Sequence, residues 1–247
     1  MYELKEVCKS FGNLCALNSI SMKIRPGIVT GLIGPNGSGK TSLVNIMSGV
    51  YPLDSGEIKL DGKDISGATS DQISRLGVFR TFQHIRVFER MTVIENVISA
   101  MISLEPFSLN SLLGQLRKPD GLKVKTAQNM LEIMDLEKDA KLFANELPLS
   151  KRRRLEIARA LARDPKVILL DEPSGGMTPK ETEILANLIL NHVLPGRTCI
   201  LIEHKMDLIV SVCEELCVIH HGEKIAHGEP REVFNQPVVI EAYLGKV

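Results

Sequence analysis

Between Ile33 and Leu43 the sequence runs Gly34-Pro35-Asn36-Gly37-Ser38-Gly39-Lys40-Thr41-Ser42. Glycines at this spacing let backbone N–H groups turn inward around an anion. A lysine followed by a hydroxyl residue adds a point charge and an oxygen ligand. This is the chemistry of a phosphate-binding loop. Lys40 reaches β- and γ-phosphates, Thr41 offers its hydroxyl to Mg²⁺, and the start of the following helix draws negative charge. Ser42 extends the run of phosphate-facing residues. A second element, Val167-Ile168-Leu169-Leu170-Asp171-Glu172, is an apolar run that ends in two carboxylates. Asp171 can stand behind Mg²⁺, and Glu172 can orient or deprotonate an attacking water. No Asn-Lys-x-Asp guanine motif occurs, which favours ATP over GTP.

Groups this far apart must be brought together by a scaffold, and its elements are legible as patterns. Residues 1–7 and 19–25 read as short strands, with Gly12-Asn13 as turn chemistry between them. Residues 27–33 are an apolar, β-branched run of buried-strand length, and 41–47 read as a helix. Residues 57–60, followed by Asp61-Gly62, give another strand and a tight turn. From Gln83 to about Arg163 the pattern is helical, with apolar residues at three- and four-residue spacing in 92–102, 123–134 and 152–162. Pro106, Gly114, Pro119 and Gly121 break that pattern, so 105–121 is expected as a loop or short connecting helix.

Strands and helices then alternate again. Strands are expected at 167–170 and 198–202, and helices at 179–194, with Pro179 in its first turn, and near 206–212. A hairpin of 216–219 and 224–226 around Gly222 and a helical tail follow. The alternation predicts an α/β fold, a mostly parallel sheet with helices around it and antiparallel strands at the N-terminus. The 247 residues are expected as one domain, with 1–83 and 164–247 as the nucleotide-binding core and 84–163 as an inserted helical subdomain. There is no internal repeat.

Composition narrows the function classes. With 44% hydrophobic residues the chain has enough for a core. Lys+Arg 30 balances Asp+Glu 30, which argues against a wholesale electrostatic grip on nucleic acid. No apolar run reaches ~18 residues, so no membrane span is expected. Met1-Tyr2-Glu3-Leu4-Lys5 has no apolar leader stretch, so secretion is not expected. Cys8, Cys15, Cys199, Cys213 and Cys217 form an odd, scattered set that reads as core packing rather than a disulfide framework. Cys213 and Cys217 with His220 and His221 lack the usual zinc spacing, and a helix-to-strand change is expected between the two cysteines. A reduced, cytoplasmic protein is expected.

The order of these motifs resembles that of ATP-binding-cassette (ABC) ATPases over essentially the full length. The phosphate loop comes first, then Gln83 at the end of a strand, a helical insert, a basic-apolar helix, Asp171-Glu172, and Ile202-Glu203-His204. Within that family the chain most resembles the cassette subunits of branched-chain amino-acid importers. Arg80-Thr81-Phe82-Gln83-His84-Ile85-Arg86, Met91-Thr92-Val93-Ile94-Glu95-Asn96, the helix Arg153–Ala162, Pro179-Lys180-Glu181 and Ala242-Tyr243-Leu244-Gly245 carry that narrower resemblance.

The resemblance implies that Phe11 stacks on adenine and that Gln83 senses Mg²⁺ and the attacking water. It also implies that Glu172 is the general base and that His204 contacts the γ-phosphate. The implied partners are a second cassette in a head-to-tail dimer (homodimer or sibling heterodimer), separate permease subunits in the membrane and, indirectly, a substrate-binding protein. The cassette would then sit peripherally on the inner face of the membrane. Nucleic acid is not an expected partner. A regulatory partner of low activity and a non-transport ABC ATPase remain as alternatives.

Two segments depart from the family pattern. A Leu-Ser-Gly-Gly-Gln-like signature, which clamps the ATP of the opposite subunit, here reads Leu147-Pro148-Leu149-Ser150-Lys151. Ser150 stands where the second glycine should be, so its in-trans role is weakened, although it can cap the helix while Lys151 adds charge. Thr178 stands where the loop after Glu172 usually carries Asp or Asn. These departures lead to the expectation of an asymmetric dimer: an intact phosphate-loop half here, completed by the normal signature of a sibling. The basic run 151–154 reads as the start of an amphipathic helix whose Arg face is solvated or meets the partner.

Overall fold

The computed structural model describes residues 1–83, 85–102 and 120–244. Most of the segment expected as a connecting loop, 105–119, and Gly245 of the tail motif lie outside the described residues.

Three apolar runs become strands buried along their whole length: β3 (Val29–Ile33), β7 (Val167–Asp171) and β8 (Thr198–Ile202). Strands covered on both faces are what a parallel sheet with helices on either side requires. They pair with β6 (Val78–Arg80), β9 (Glu215–His220) and β10 (Glu223–Gly228) in the order β10-β9-β3-β8-β7-β6. All neighbours are parallel except the β9–β10 hairpin. A second, antiparallel sheet has the order β2-β1-β4-β5, from β1 (Tyr2–Phe11), β2 (Leu14–Ile24), β4 (Ser55–Leu60) and β5 (Lys63–Asp64). Both N-terminal strands run longer than their patterns indicate, because cross-strand pairing extends to the Gly12-Asn13 turn, where Phe11 opposes Leu14.

The helices are α1 (Lys40–Met47), α2 (Ser70–Arg75), α3 (Val93–Ile102), α4 (Gly121–Ile133), α5 (Leu149–Leu161), α6 (Pro179–Leu188), α7 (Met206–Val212), α8 (Pro230–Phe234) and α9 (Pro237–Leu244). The helix expected over 179–194 is α6 continued by a wider π-type turn at Ile189–Val193. One apolar cluster joins Val93 and Val97 of α3, Leu131 of α4 and Leu155 of α5 to Ile168 and Leu170 of β7. The helical segment is thus packed onto the same core as one face of the parallel sheet. The other face packs with the antiparallel sheet and α1, through Leu32, Val44, Ile20 and Ile58.

The helix-to-strand change between Cys213 and Cys217 is as expected: α7 ends at Val212 and Cys217 lies in β9. Cys199, Cys213 and Cys217 are buried, and burial pushes the Cys213 and Cys217 thiols up to about 12. Core packing does not extend to Cys15, which is exposed beside the turn, or to half-buried Cys8. Both sit on the outer hairpin of the antiparallel sheet, where one side of each strand faces solvent.

Candidate functional site

The phosphate loop lies between β3 and α1. Gly34 and Gly39 have φ of 150° and 109°, the region that favours glycine. A Cβ on Gly34 would fall 2.0 Å from the Ile219 carbonyl oxygen, and one on Gly39 would fall 2.6 Å from that of Ala16. The loop is braced from outside, since the Gly222 N–H donates to the Ser38 carbonyl (2.9 Å) and the Asn18 N–H to that of Gly222 (2.8 Å). α1 starts at Lys40 with no side-chain cap and no acidic residue in its first turn, so its N-terminal N–H groups are left for an anion. Lys40 turns back on the loop, donating to the carbonyls of Gly34 and Pro35 at 2.8 Å each. Burial lowers its ammonium from the ordinary lysine range, while Glu172 and Asp171 pull it the other way.

Glu172 follows the buried strand β7 in a left-handed backbone conformation, φ 48°, uncommon for a residue with a side chain. Its N–H is held by the Ile202 carbonyl of the next strand (2.9 Å). Its carboxylate is shared: Gln83 Nε2 donates to Oε2 at 3.1 Å, and His204 Nε2 lies 3.1 Å from Oε1. The three residues that the motif order singled out thus meet at one carboxylate. Gln83 itself is not at the strand end, since β6 stops at Arg80 and leaves Gln83 three residues beyond in irregular backbone. Asp171 is buried, and Arg80 Nη2 donates to its Oδ2 at 2.7 Å.

A cavity of about 450 Å³ runs from Phe11 across the phosphate loop (Asn36 to Ser42) to Gln83, Glu172 and His204. Phe11 is exposed on the cavity edge, with the ring of Tyr51 packed edge-on against it at 5.4 Å between centroids. Gly34, Pro35 and Asp171 lie behind the lining rather than in it. Ser150 is not brought to this cavity. The residues that sequence reasoning missed on the Phe11 side are Leu14, Cys15, Ala16 and His221, which the hairpin turns supply with no motif to mark them.

Glu203 was missed as well. It is buried, and its Oε1 accepts from the N–H (2.9 Å) and hydroxyl (2.5 Å) of Ser174. Its Oε2 accepts from the N–H groups of His204 (2.8 Å) and Lys205 (3.1 Å). One carboxylate therefore ties the loop after Glu172 to the loop that carries His204.

The signature segment differs from expectation. Pro148 occupies the N-cap of α5 and makes no side-chain cap bond, and Ser150 lies inside the first turn rather than capping it. The Ser150 side chain lies against the Glu181 carboxylate instead. Lys151 does not lend its charge to the helix start, because its ammonium donates to Asp139 Oδ2 at 2.6 Å. The arginines after it are not a solvated face. Arg153 and Arg154 are buried and their guanidinium groups donate to loop carbonyls, Phe82 and Gln83 for one and Met134 for the other. Carbonyls without a secondary-structure partner need donors, and a buried guanidinium supplies several. Thr178 caps α6, bonding Glu181 reciprocally.

The oxygen donors available, the Thr41 hydroxyl and the Asp171 and Gln83 side chains, fit a hard divalent cation that also binds substrate phosphates. Such a cation needs no all-protein cage. Among the described residues there is no cluster of three or more His, Cys, Asp or Glu able to hold a metal ion.

The family model described as ABC transporter matches residues 17–175, and one described as branched-chain amino acid ATP-binding cassette transporter matches 223–247. The chain is 40% identical to the high-affinity branched-chain amino acid transport ATP-binding protein LivG of Salmonella typhimurium, over 96% of this chain and 94% of that one. It is 37% identical to BraF of Pseudomonas aeruginosa, described in the same words, over 99% and 97%. Among solved structures it is similar to a nucleotide-free ATP-binding cassette from an ABC transporter (TM-score 0.89, 32% identity, 100% and 99% covered). It is also similar to the ADP conformation of MJ1267, an ATP-binding cassette of an ABC transporter (TM-score 0.88, 32%, 100% and 99%). A dimeric post-hydrolysis state of the cassette MJ0796 bound to ADP and Pi aligns with TM-score 0.78 at 25% identity, 93% and 98% covered.

Proposed function

The chain belongs to the ABC transporter ATP-binding family, and from that premise we propose that it energises an importer of branched-chain or other hydrophobic amino acids. It is an ATP-hydrolysing P-loop subunit. The near full-length similarity to LivG and BraF supports the cargo class. The observation that carries the chemistry is the Glu172 carboxylate, held between Gln83 and His204 and opening on the phosphate loop.

In this reading Phe11 stacks on the base, and the loop Gly34-Pro35-Asn36-Gly37-Ser38-Gly39 with Lys40 and Ser42 wraps the phosphates. Lys40 exchanges the carbonyls of Gly34 and Pro35 for phosphate oxygens. Thr41, Asp171 and Gln83 would hold Mg²⁺, which would supply positive charge beside the transferred phosphoryl group. Glu172 takes the proton of the attacking water, with Gln83 fixing one carboxylate oxygen and His204 poised between the other and the γ-phosphate. Arg80 holds the Asp171 carboxylate in place behind them.

No helix among the described residues is long and apolar enough to cross a membrane, and in this reading the permease is a separate chain. The helical subdomain expected over 84–163 would meet it, with the cassette peripheral at the membrane and a substrate-binding protein as the indirect partner. The second cassette is a sibling rather than a copy. Ser150 and Lys151 are engaged within their own chain by Glu181 and Asp139, which supports a signature half that completes its partner's site poorly.

The test is Mg·ATP hydrolysis by the purified chain against protein concentration, with Glu172→Gln as control. Turnover that appears only on adding a sibling cassette supports the asymmetric dimer. Full turnover by self-dimers refutes the sibling requirement, and turnover that survives in Glu172→Gln refutes the assignment of the base.

A further inference from the structure

Gln83 lies in backbone with no regular secondary structure, yet it must present its amide to Glu172 at 3.1 Å. What fixes that backbone is a pair of side chains one turn apart on α5. Arg153 donates through Nη1 to the Phe82 carbonyl (2.8 Å) and through Nη2 to the Gln83 carbonyl (2.6 Å). Glu156 accepts on a single atom, Oε1, from the N–H of Phe82 (3.2 Å) and of Arg86 (3.3 Å). Both side chains are buried, and they face each other at 3.8 Å. Burial pushes the Glu156 carboxyl up, against these two N–H bonds and the neighbouring arginines.

We propose that Arg153 and Glu156 are positioning residues that bracket the backbone of Phe82, Gln83 and Arg86, so that α5 sets where the Gln83 amide stands against Glu172. Two opposite charges taken out of water cost free energy that four hydrogen bonds to otherwise unpartnered backbone groups offset. The catalytic consequence rests on the reading of Glu172 as the base, whereas the bracket itself does not.

The experiment compares Glu156→Ala, Glu156→Gln and Arg153→Lys in the full chain. Amide hydrogen exchange of the peptide spanning 82–86 is read alongside ATP affinity and turnover with the sibling cassette present. Glu156→Ala removes the acceptor and is expected to speed exchange at 82–86 about tenfold and lower kcat about tenfold, leaving KM for ATP unchanged. Glu156→Gln keeps an oxygen at the Oε1 position and restores most of both. Arg153→Lys, which can serve one carbonyl well but not two, falls between. Unchanged exchange in both Glu156→Ala and Arg153→Lys overturns the bracket. Faster exchange with unchanged kcat overturns the positioning role. If Glu172→Gln keeps wild-type turnover, the base assignment has failed instead, and the exchange data still decide the bracket.

Discussion

Ser150 lies against Glu181 across a small cavity and is the largest influence holding its carboxylate down. Thr178 bonds the same carboxylate through its N–H (2.9 Å) and its hydroxyl (2.8 Å). Two of the positions at which this chain leaves the family pattern, Ser150 and Thr178, therefore meet on one acidic side chain between the start of α5 and the start of α6. Leu149 adds to the contact, since a Cβ on Gly176 would fall 2.5 Å from its Cδ2.

That carboxylate gives a pH signature. Ser150 first, then Thr178, hold the Glu181 carboxyl down to about 2 from an ordinary 4.5. A depressed folded-state value means the stabilisation is present above about 4.5 and is lost as pH falls through the window toward 2. The difference in Tm between wild type and Glu181→Gln is expected to shrink over that window. A constant difference would show that the contacts with Ser150 and Thr178 do not persist in solution.

Restoring the signature should restore a symmetric enzyme. In Ser150→Gly with Lys151→Gln, the helix start loses its contact with Glu181 and its bond to Asp139, and regains a bare backbone that can approach phosphate. Turnover by the chain alone should rise about tenfold, equivalent to ~1.4 kcal/mol of transition-state stabilisation. Unchanged activity in a steady-state assay would remove the argument for asymmetry.

Glu172→Gln keeps the shape and an acceptor for Gln83 but cannot take a proton. Turnover should fall roughly 10²- to 10⁴-fold, while fluorescent-nucleotide titration shows ATP binding retained. Loss of binding together with activity would assign Glu172 to the loop's architecture instead.

Arg80→Ala leaves Asp171 buried without its guanidinium partner. Both side chains of this pair are under a tenth exposed, so the substitution should cost about 3–5 kcal/mol in urea unfolding. A cost below about 1 kcal/mol would mean that solvent reaches the pair. Arg80→Lys should recover only part, because one ammonium cannot serve both Asp171 and Asn45.

What the sequence by itself determined is the local chemistry and the order of parts. The glycine spacing of 34–39 marks a tight anion-facing turn, the apolar runs 167–170 and 198–202 have the length of buried strands, and Pro179 suits the first turn of a helix. These are short-range properties of the chain, so they are legible without coordinates. The tertiary structure decided which distant groups share a carboxylate. That Glu172 lies between Gln83 and His204, that Glu203 joins Ser174 to His204, and that Arg153 points inward to loop carbonyls depends on how strands and helices are placed. A basic run reads the same in solvent as in a core until the partners of its charges are known. Ser150 shows the limit most plainly. Residue type allowed it to cap a helix, but backbone geometry put Pro148 at the cap and left Ser150 against Glu181, a residue 31 positions away in the chain.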